Sequence, residues 1–204
     1  MDASLKLAIT TIGDLLLNNK ITRDKDNKSI SNIKLVIPNY QRPYKWTAKN
    51  VIQLLDDIVD AKNSNKETYR VGTLILHQEQ NQKGELRRYN IVDGQQRTIT
   101  FALLLKAIAD ELEIGFLNQN LTNNSHNARN IPNNFYALER RLNHFGDNKA
   151  KQDLKEYIQN NCELIVVITD DISEAFQFFD SQNARGKKLY PQTLTTFSIS
   201  MTSK

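Results

Sequence analysis

The segment VDGQQRTIT, residues 92–100, brings together residue types that favour binding of an anion. We predict that a strand ends at Val92, that Asp93 and Gly94 form a tight turn, and that a long helix begins directly after them. The first turn of a helix has backbone N–H groups without helical partners, and the helix dipole adds positive potential there. The sequence therefore predicts an anion site at this helix N-terminus.

Side chains of the same segment add to this site. The forked guanidinium of Arg97 suits a phosphate group, and the hydroxyls of Thr98 and Thr100 are expected to bind phosphate oxygens. Asp93 is placed to hold a metal ion or to orient a water molecule. The alternative interpretation is that Asp93 is a turn residue or a helix cap and that Arg97 is a solvated helix residue.

The segment IPNYQRPYKW, residues 37–46, interleaves aromatic and cationic side chains. Its aromatic residues are Tyr40, Tyr44 and Trp46, with Gln41, Arg42 and Lys45 between them. Such a combination can stack a nucleobase and hold a phosphate. In the alternative interpretation the aromatic residues are packing anchors and Arg42 is a surface charge.

A third segment, FDSQNARGKKL at residues 179–189, contains the end of a predicted helix near Asn183 and a loop with Arg185 and Gly186 after it. One interpretation gives Asn183 a contact to a base or sugar and Arg185 a contact to phosphate, with Lys187 adding charge. In the other, Gly186 is a plain helix-terminating residue.

Other chemistries have little support in the sequence. The three histidines, His77, His126 and His144, show no metal-ligand spacing. No P-loop, dinucleotide-binding or nucleophile-elbow motif occurs. Cys162, the single cysteine, begins an apolar stretch and is interpreted as a core thiol.

Hydropathy patterns predict the elements that position these segments. We expect strands at 33–37, 70–77, 86–93 and 162–168, the second and third forming a hairpin with Gly84 in its turn. Helices are predicted at 4–18, from Thr47 to about 62, from Gln95 to about 112, at 134–145 and 148–160, and after Asp170 or Asp171. Residues 19–32 are expected to form a loop or hairpin, and the asparagine-rich residues 118–134 a mobile loop. The predicted class is α+β, a mixed α/β domain with a small sheet.

Composition limits what the protein can be. A chain of 204 residues with 39 % apolar and 25 % charged residues fits one globular domain. The net charge is +4, which mildly favours phosphate-bearing partners. No apolar run is long enough for a membrane span and no signal peptide is apparent, so we expect a cytoplasmic protein without a membrane partner.

The three segments together resemble the N-terminal domain of GmrSD-type, modification-dependent restriction endonucleases, in the ParB/sulfiredoxin-like superfamily. The family pattern reads IPxYQRxYxW, DGQQRxxT and FxxxNxRGxxL, and the same motifs occur here in the same order at 37–46, 93–100 and 179–189. The resemblance covers about residues 5–190.

The resemblance implies a domain that binds and hydrolyses a nucleoside triphosphate, with Mg²⁺ as the expected metal ion. It implies that the domain senses modified phage DNA and controls an HNH nuclease domain or subunit. Carried over by position, the hydrolytic core comprises Asp93, Gly94, Gln95, Gln96 and Arg97; Tyr40, Gln41 and Arg42 line the cavity, and Asn183 and Arg185 close it.

The chain departs from the family pattern near its end. We expect a single domain over residues 1–204, with a helical insertion at about 115–160 and an atypical Ser/Thr-rich tail at 190–204. No HNH-type sequence follows, which favours a truncated form of a longer gene or a stand-alone sensing domain.

Two other functions stay open at this stage. One is a non-catalytic module that binds nucleic acid or nucleotide. The other is direct phosphodiester cleavage by a ParB-like nickase.

Overall fold

Six strands form one mixed sheet in the computed structural model, which describes residues 5–24, 26–79, 87–121 and 124–177. The strands are β1 (Lys6–Thr11), β2 (Arg23–Asp24), β3 (Ile33–Val36), β4 (Tyr69–Gln78), β5 (Arg87–Asp93) and β6 (Cys162–Thr169). Their order across the sheet is β2-β1-β6-β4-β5-β3. β4 is central: it runs parallel to β6 and antiparallel to β5. β3 pairs in parallel with β5, and β1 pairs antiparallel with β2 and β6.

Helices cover one face of this sheet. They are α1 (Ile12–Leu16), α2 (Ala48–Asn63), α3 (Gln95–Ile108), α4 (Ser125–Asn143) and α5 (Asn148–Asn161), with a 3₁₀ turn at Gly115–Asn118. Residues 172–177 are also helical, and Asp171 caps them by accepting a hydrogen bond from the Ser173 N–H at 2.7 Å. The predicted α+β class is confirmed. The assignment of the chain to the ParB/sulfiredoxin-like superfamily stays a prediction. So does its description as a single domain with a helical insertion at about 115–160 and a tail at 190–204.

The main core lies between the helices and the sheet, and α3 runs through it. Residues 98–105 of α3 are buried all round the helix, as expected for a helix surrounded by other elements. Alternate residues of β4 supply the sheet side of this core, for example Leu74 and Leu76. Ile75 points to the opposite face, where it packs in a small cluster with Val92, Val167 and Ala175. The residues 172–177 therefore cover part of the second face.

The prediction of an amphipathic helix at 4–18 is wrong for most of its length. Residues Lys6–Thr11 form β1, and the helix α1 is confined to Ile12–Leu16. Within β1 burial alternates: Ala8 and Thr10 are buried, whereas Leu7 is 53 % exposed. The apolar residues fit both the period of a helix and the period of a strand, and pairing with β6 along the whole length of β1 decides for the strand.

The prediction of a mobile loop at 118–134 is also wrong in its described part. α4 begins at Ser125, nine residues before the predicted helix at 134, and runs through Pro132. Asn124 caps it by accepting from the Asn127 N–H at 2.9 Å. Asn127 and Asn134 are buried, because their amides make tertiary hydrogen bonds that polarity alone cannot anticipate.

The remaining predictions agree with the structure in the described residues. β3, β4, β5, β6, α2 and α5 occur where expected, and the bridge between Ile21 and Ile30 makes the 19–32 region a hairpin. α3 ends at Ile108 rather than near 112. β4 and β5 pair as predicted, whereas Gly84 lies outside the described residues. Of the helices in the described ranges, none has the length and apolar character to cross a membrane.

Candidate functional site

The turn between β5 and α3 is built around Gly94. This residue has φ +94°, in the left-handed region that glycine adopts most readily. A Cβ atom there would lie 3.0 Å from both the Thr73 carbonyl oxygen and Leu74 Cδ1, so β4 also restricts the position to glycine. The Thr98 N–H donates to the Gly94 carbonyl at 3.0 Å, closing the first helical turn. The N–H groups before it, those of Gln95, Gln96 and Arg97, have no carbonyl partner within the helix.

Arg97 lies against a second glycine, Gly72 of β4. A Cβ atom at Gly72 would overlap Arg97 Nη1 and would lie 2.7 Å from Cζ. Gly72 has φ +134° and sits where the register between β4 and β6 shifts. Arg97 Nη1 donates to the Thr73 carbonyl at 3.3 Å. The guanidinium therefore rests on the bare backbone of β4, which limits its freedom before any ligand arrives.

Two glutamines attach residues 38–47 to this turn. Gln96 Oε1 accepts from the backbone N–H groups of Lys45 at 2.8 Å and Trp46 at 3.1 Å, and its Nε2 donates to the Pro43 carbonyl at 3.3 Å. Gln41 Nε2 donates to the carbonyls of Ile91 and Val92, both at 2.9 Å. The side chains of Gln96 and Gln41 thus hold the loop in place through backbone contacts.

The asparagines of α4 hold the same loop from the other side. Asn127 Oδ1 accepts from the Tyr44 N–H at 2.6 Å, and Asn130 Nδ2 donates to the Tyr44 carbonyl at 2.9 Å. Asn134 Nδ2 lies 3.0 Å from the Tyr44 hydroxyl and 2.8 Å from the Trp46 carbonyl. The Tyr44 hydroxyl also lies 2.8 Å from Thr100 Oγ1. Burial raises the pKa of Tyr44, and hydrogen bonds from Thr100 and Asn134 oppose that rise.

A cavity of about 340 Å³ lies where the loop, the β5–α3 turn and residue 176 meet. It is lined by Tyr40, Gln41, Arg42, Trp46, Val92, Asp93, Gly94, Gln95, Gln96, Arg97 and Phe176. The volume falls in the range of small-molecule sites. Two of the three predicted segments, far apart in sequence, therefore meet at one cavity.

The aromatic wall of the cavity contains a packed pair. The rings of Tyr40 and Phe176 lie 6.0 Å apart with an interplanar angle of 59°. Both residues are partly open to solvent, at 51 % and 39 % exposure. Desolvation, and secondarily the Glu79 carboxylate, raise the pKa of Tyr40, so its hydroxyl stays protonated at neutral pH.

The polar side of the cavity carries groups of both signs. Arg42 and Arg97 supply positive charge, and Asp93 is the one carboxylate among the described lining residues. Asp93 forms no ion pair with a described residue. Gln95 is 4 % exposed, and its buried Oε1 has no hydrogen-bond partner in the described part of the chain. An unpaired buried acceptor is costly, and a bound ligand or ion would relieve that cost.

Some predicted site residues lie elsewhere. Thr98 and Thr100 are each 1 % exposed and do not line the cavity. Their hydroxyls donate within α3, to the carbonyls of Gly94 at 3.0 Å and Gln96 at 2.8 Å. Tyr44 is fully buried, so for this residue the packing interpretation is correct. Asn183, Arg185 and Lys187 lie outside the described residues.

Other residues that shape the site were missed in the sequence. These are Gly72, Asn127, Asn130, Asn134 and Phe176. The signal for Gly72 was a glycine inside an otherwise apolar strand, which often marks a bulge or the close approach of another group. The asparagines were visible as a cluster, but nothing in their spacing identified their partners.

A metal ion would find few protein ligands here. No group of three or more His, Cys, Asp or Glu side chains that could hold a metal occurs among the described residues. Asp93 with the buried Gln95 Oε1 supplies oxygen donors of the kind Mg²⁺ uses. Mg²⁺ is often held by one or two carboxylates together with substrate phosphates, and the residues present fit only that arrangement.

Fold and cavity together define a class: an α+β domain with a polar cavity at a strand-to-helix turn, lined by two arginines, a carboxylate and an aromatic wall. The sequence matches the family described as GmrSD restriction endonuclease, N-terminal domain, over residues 16–197. Because the match covers most of the chain, the protein belongs to this family, and the resemblance inferred from the three motifs is confirmed. Proteins of this family are components of restriction systems. No curated protein matches the chain.

Proposed function

We propose that the cavity binds a nucleoside triphosphate and hydrolyses it as part of a DNA restriction system. The observation that carries this proposal is the meeting of Arg97, the free N–H groups of α3 and Asp93 at one cavity with an aromatic wall. Each feature by itself would suit several kinds of ligand. Together they match the chemistry of a nucleotide, whose phosphates carry negative charge and bind a metal ion and whose base is a flat ring.

The phosphates bind at the start of α3. The N–H groups of Gln95, Gln96 and Arg97 and the helix dipole favour negative charge there. The Arg97 guanidinium, seated on Gly72, adds a charge-assisted contact with little loss of conformational freedom. Arg42 is exposed at the cavity and adds a second cation.

The base stacks on the aromatic wall formed by Tyr40, Trp46 and Phe176. Stacking on an aromatic ring contributes about 1–3 kcal/mol per base and depends little on base identity. We therefore expect the phosphates to supply most of the binding energy and the wall to orient the nucleotide.

Asp93 is the residue to which we assign the hydrolytic role. When bound, Mg²⁺ would neutralise charge on the transferring phosphate, and Asp93 would hold it together with the phosphate oxygens. Asp93 is also the described carboxylate in the cavity that could orient an attacking water. In a restriction system, such a step would couple recognition of modified phage DNA to an HNH nuclease domain or subunit.

The experiment is calorimetric titration of the full chain with the four nucleoside triphosphates and Mg²⁺, followed by measurement of phosphate release. Arg97→Ala should bind about 10- to 100-fold more weakly, because a hydrogen bond between charged groups contributes about 1.5–3 kcal/mol. Asp93→Asn should retain binding within a few fold and lose phosphate release.

Arg140→Ala is the matched control, since Arg140 is an exposed arginine of α4 without an ion pair to a described residue. It should behave as the wild type in both assays. Absence of nucleotide binding by the wild-type chain would refute the proposal, and unchanged hydrolysis by Asp93→Asn would refute the role of Asp93.

A second candidate function is a nucleotide sensor without turnover. It is favoured by the hydrogen bonds of two glutamines: the Gln41 amide binds the β5 carbonyls of Ile91 and Val92, and the Gln96 amide binds the backbone of Lys45 and Trp46. Because both amides are engaged in this way, Asp93 has little side-chain help in handling water. Binding of a triphosphate with no phosphate release by the wild type would favour this function over hydrolysis.

A further inference from the structure

The positive charge of the protein is concentrated in two segments that contact each other. The whole chain has 27 cationic and 23 acidic residues, a net charge of +4. Residues 38–55 and 124–138 contain Arg42, Lys45, Lys49 and Arg129 and no Asp or Glu. These two segments together therefore carry +4, and the rest of the chain, with 23 of each sign, is neutral.

The two segments are joined by the asparagine contacts of α4. Asn127 and Asn130 bind the backbone of Tyr44, and Asn134 binds the Trp46 carbonyl. Each of the four cations lies within three residues of one of these hydrogen bonds along the chain. All four side chains are exposed, and none forms an ion pair with a described residue.

The helices add to this charge, because three of them begin at the same place. α2 begins directly after the loop, at Ala48. Gln96 in the first turn of α3 accepts from Lys45 and Trp46, and Asn127 in the first turn of α4 accepts from Tyr44. The positive ends of three helix dipoles therefore surround residues 38–47.

The carboxylates of α2 and α4 lie in the C-terminal halves of these helices. α2 and α4 run side by side in the same direction, since Trp46 contacts Asn134 and Asp56 pairs with Arg141 at 3.0 Å. Asp57 and Asp60 follow Asp56 in α2. The Arg141–Asp56 ion pair between α2 and α4 thus lies in their C-terminal halves, and in the described residues no cation at their N-terminal ends is paired.

We propose that this surface, formed by Arg42, Lys45, Lys49 and Arg129 around residues 38–47, binds the phosphate backbone of duplex DNA. Its partner is identified by charge, since four unpaired cations on two contacting segments favour a polyanion, and by the family, which is that of a restriction endonuclease domain. The assignment rests on the proposed role in DNA restriction. Because the loop also lines the cavity, DNA on this surface would lie beside the nucleotide.

The test measures binding of a short labelled DNA duplex by the full chain, by fluorescence anisotropy over a range of salt concentrations and without nucleotide. Lys49→Glu and Arg129→Glu should each weaken binding by about 5-fold or more at low salt, and each should lower the slope of log K against log salt by about 1. Lys49 and Arg129 are not among the residues that line the cavity, so both variants should bind nucleotide as the wild type does.

Lys149→Glu provides a matched control. Lys49 and Lys149 are both exposed lysines at the second position of a helix, and a glutamate is favourable in the first turn of either. The start of α5 follows the C-terminal end of α4, about 28 Å along that helix from its N-terminus. Lys149→Glu should therefore leave DNA affinity nearly unchanged.

Three results would overturn the proposal. They are equal loss of affinity in Lys49→Glu and Lys149→Glu, no duplex binding at low salt, and tighter binding of an RNA duplex of the same sequence. Since the assay contains no nucleotide, its failure is distinct from failure of the proposed hydrolysis.

Discussion

Neighbouring residues of the DGQQR segment have different surroundings, although they read as one motif. Asp93, Gln96 and Arg97 all line the cavity, but the amide of Gln96 also makes three hydrogen bonds to the backbone of residues 43–46. Gln95 is buried with an Oε1 that has no partner among the described residues. Because the loop backbone occupies its amide, the Gln96 side chain acts by positioning the loop.

This division predicts how Gln96 variants differ. Gln96→Ala leaves the Lys45 and Trp46 N–H groups and the Pro43 carbonyl without their partner, which should lower the free energy of unfolding by about 1–3 kcal/mol. Gln96→Glu keeps an oxygen for the two N–H groups and should recover part of that loss. Urea denaturation measures both variants. Equal stability of Gln96→Ala and the wild type would contradict the positioning role.

Among the elements, β4 contributes more to the site than its place in the core suggests. Gly72 provides the surface on which Arg97 rests, and the Thr73 carbonyl accepts from Arg97 while restricting Gly94. The irregular register of β4 against β6 at residues 70–72 produces the positive φ of Gly72. A local departure from regular strand geometry therefore determines where a cation of α3 lies.

Gly72→Ala should consequently displace Arg97 and weaken nucleotide binding by about 10-fold or more, as loss of the arginine contact would. Calorimetric titration with nucleotide measures the effect. Gly115→Ala is the control, since no atom lies within 4 Å of a Cβ added at Gly115.

A double-mutant cycle separates positioning from general destabilisation. If Gly72 acts through Arg97, Gly72→Ala should not further weaken nucleotide binding in an Arg97→Ala background, and its cost in stability should be smaller there. Additive effects in calorimetry and in urea denaturation would show that Gly72 acts independently of Arg97.

For the molecule as a whole, the buried Cys162 links folding to pH. It is the first residue of β6, fully buried, and burial raises the pKa of its thiol from 9.0 to about 12. In the unfolded chain the thiol loses its proton at a lower pH than in the folded protein. The unfolded state therefore binds fewer protons between pH 9 and 12, and stability falls as the pH rises through that range.

Cys162→Ala should remove this part of the pH dependence. The variant should be less stable than the wild type at pH 7, because it loses a buried sulfur atom. Its urea midpoint should fall less between pH 8 and pH 10 than that of the wild type. Tyr44 titrates in both proteins, so its contribution cancels in the difference between the two curves. That difference reports the thiol together with its electrostatic interaction with Tyr69 and Tyr157, whose pKa values Cys162 also raises. Parallel curves would contradict the assignment.

Sequence patterns predicted most elements because their burial follows simple periods. The apolar runs of β4 and β6 and the regular apolar spacing of α2 and α5 fit only one kind of element at their length. At 4–18 the spacing fitted both helix and strand, and pairing of β1 with β6 decided between them. At 118–134 the polar composition suggested a loop. In the structure Asn124 caps α4, and Asn127 and Asn130 bind the backbone of Tyr44 in residues 38–47.

By itself the sequence determined the family, the α+β class and the expectation that Arg97 and Asp93 lie at the start of a helix. These depend on residue identity and local spacing. Only the tertiary structure decided that the hydroxyls of Thr98 and Thr100 donate to carbonyls one helical turn earlier and that Arg97 packs against Gly72. It also brought three helix N-termini together around residues 38–47. Such features depend on contacts between residues tens of positions apart, and a sequence does not state which distant groups will meet.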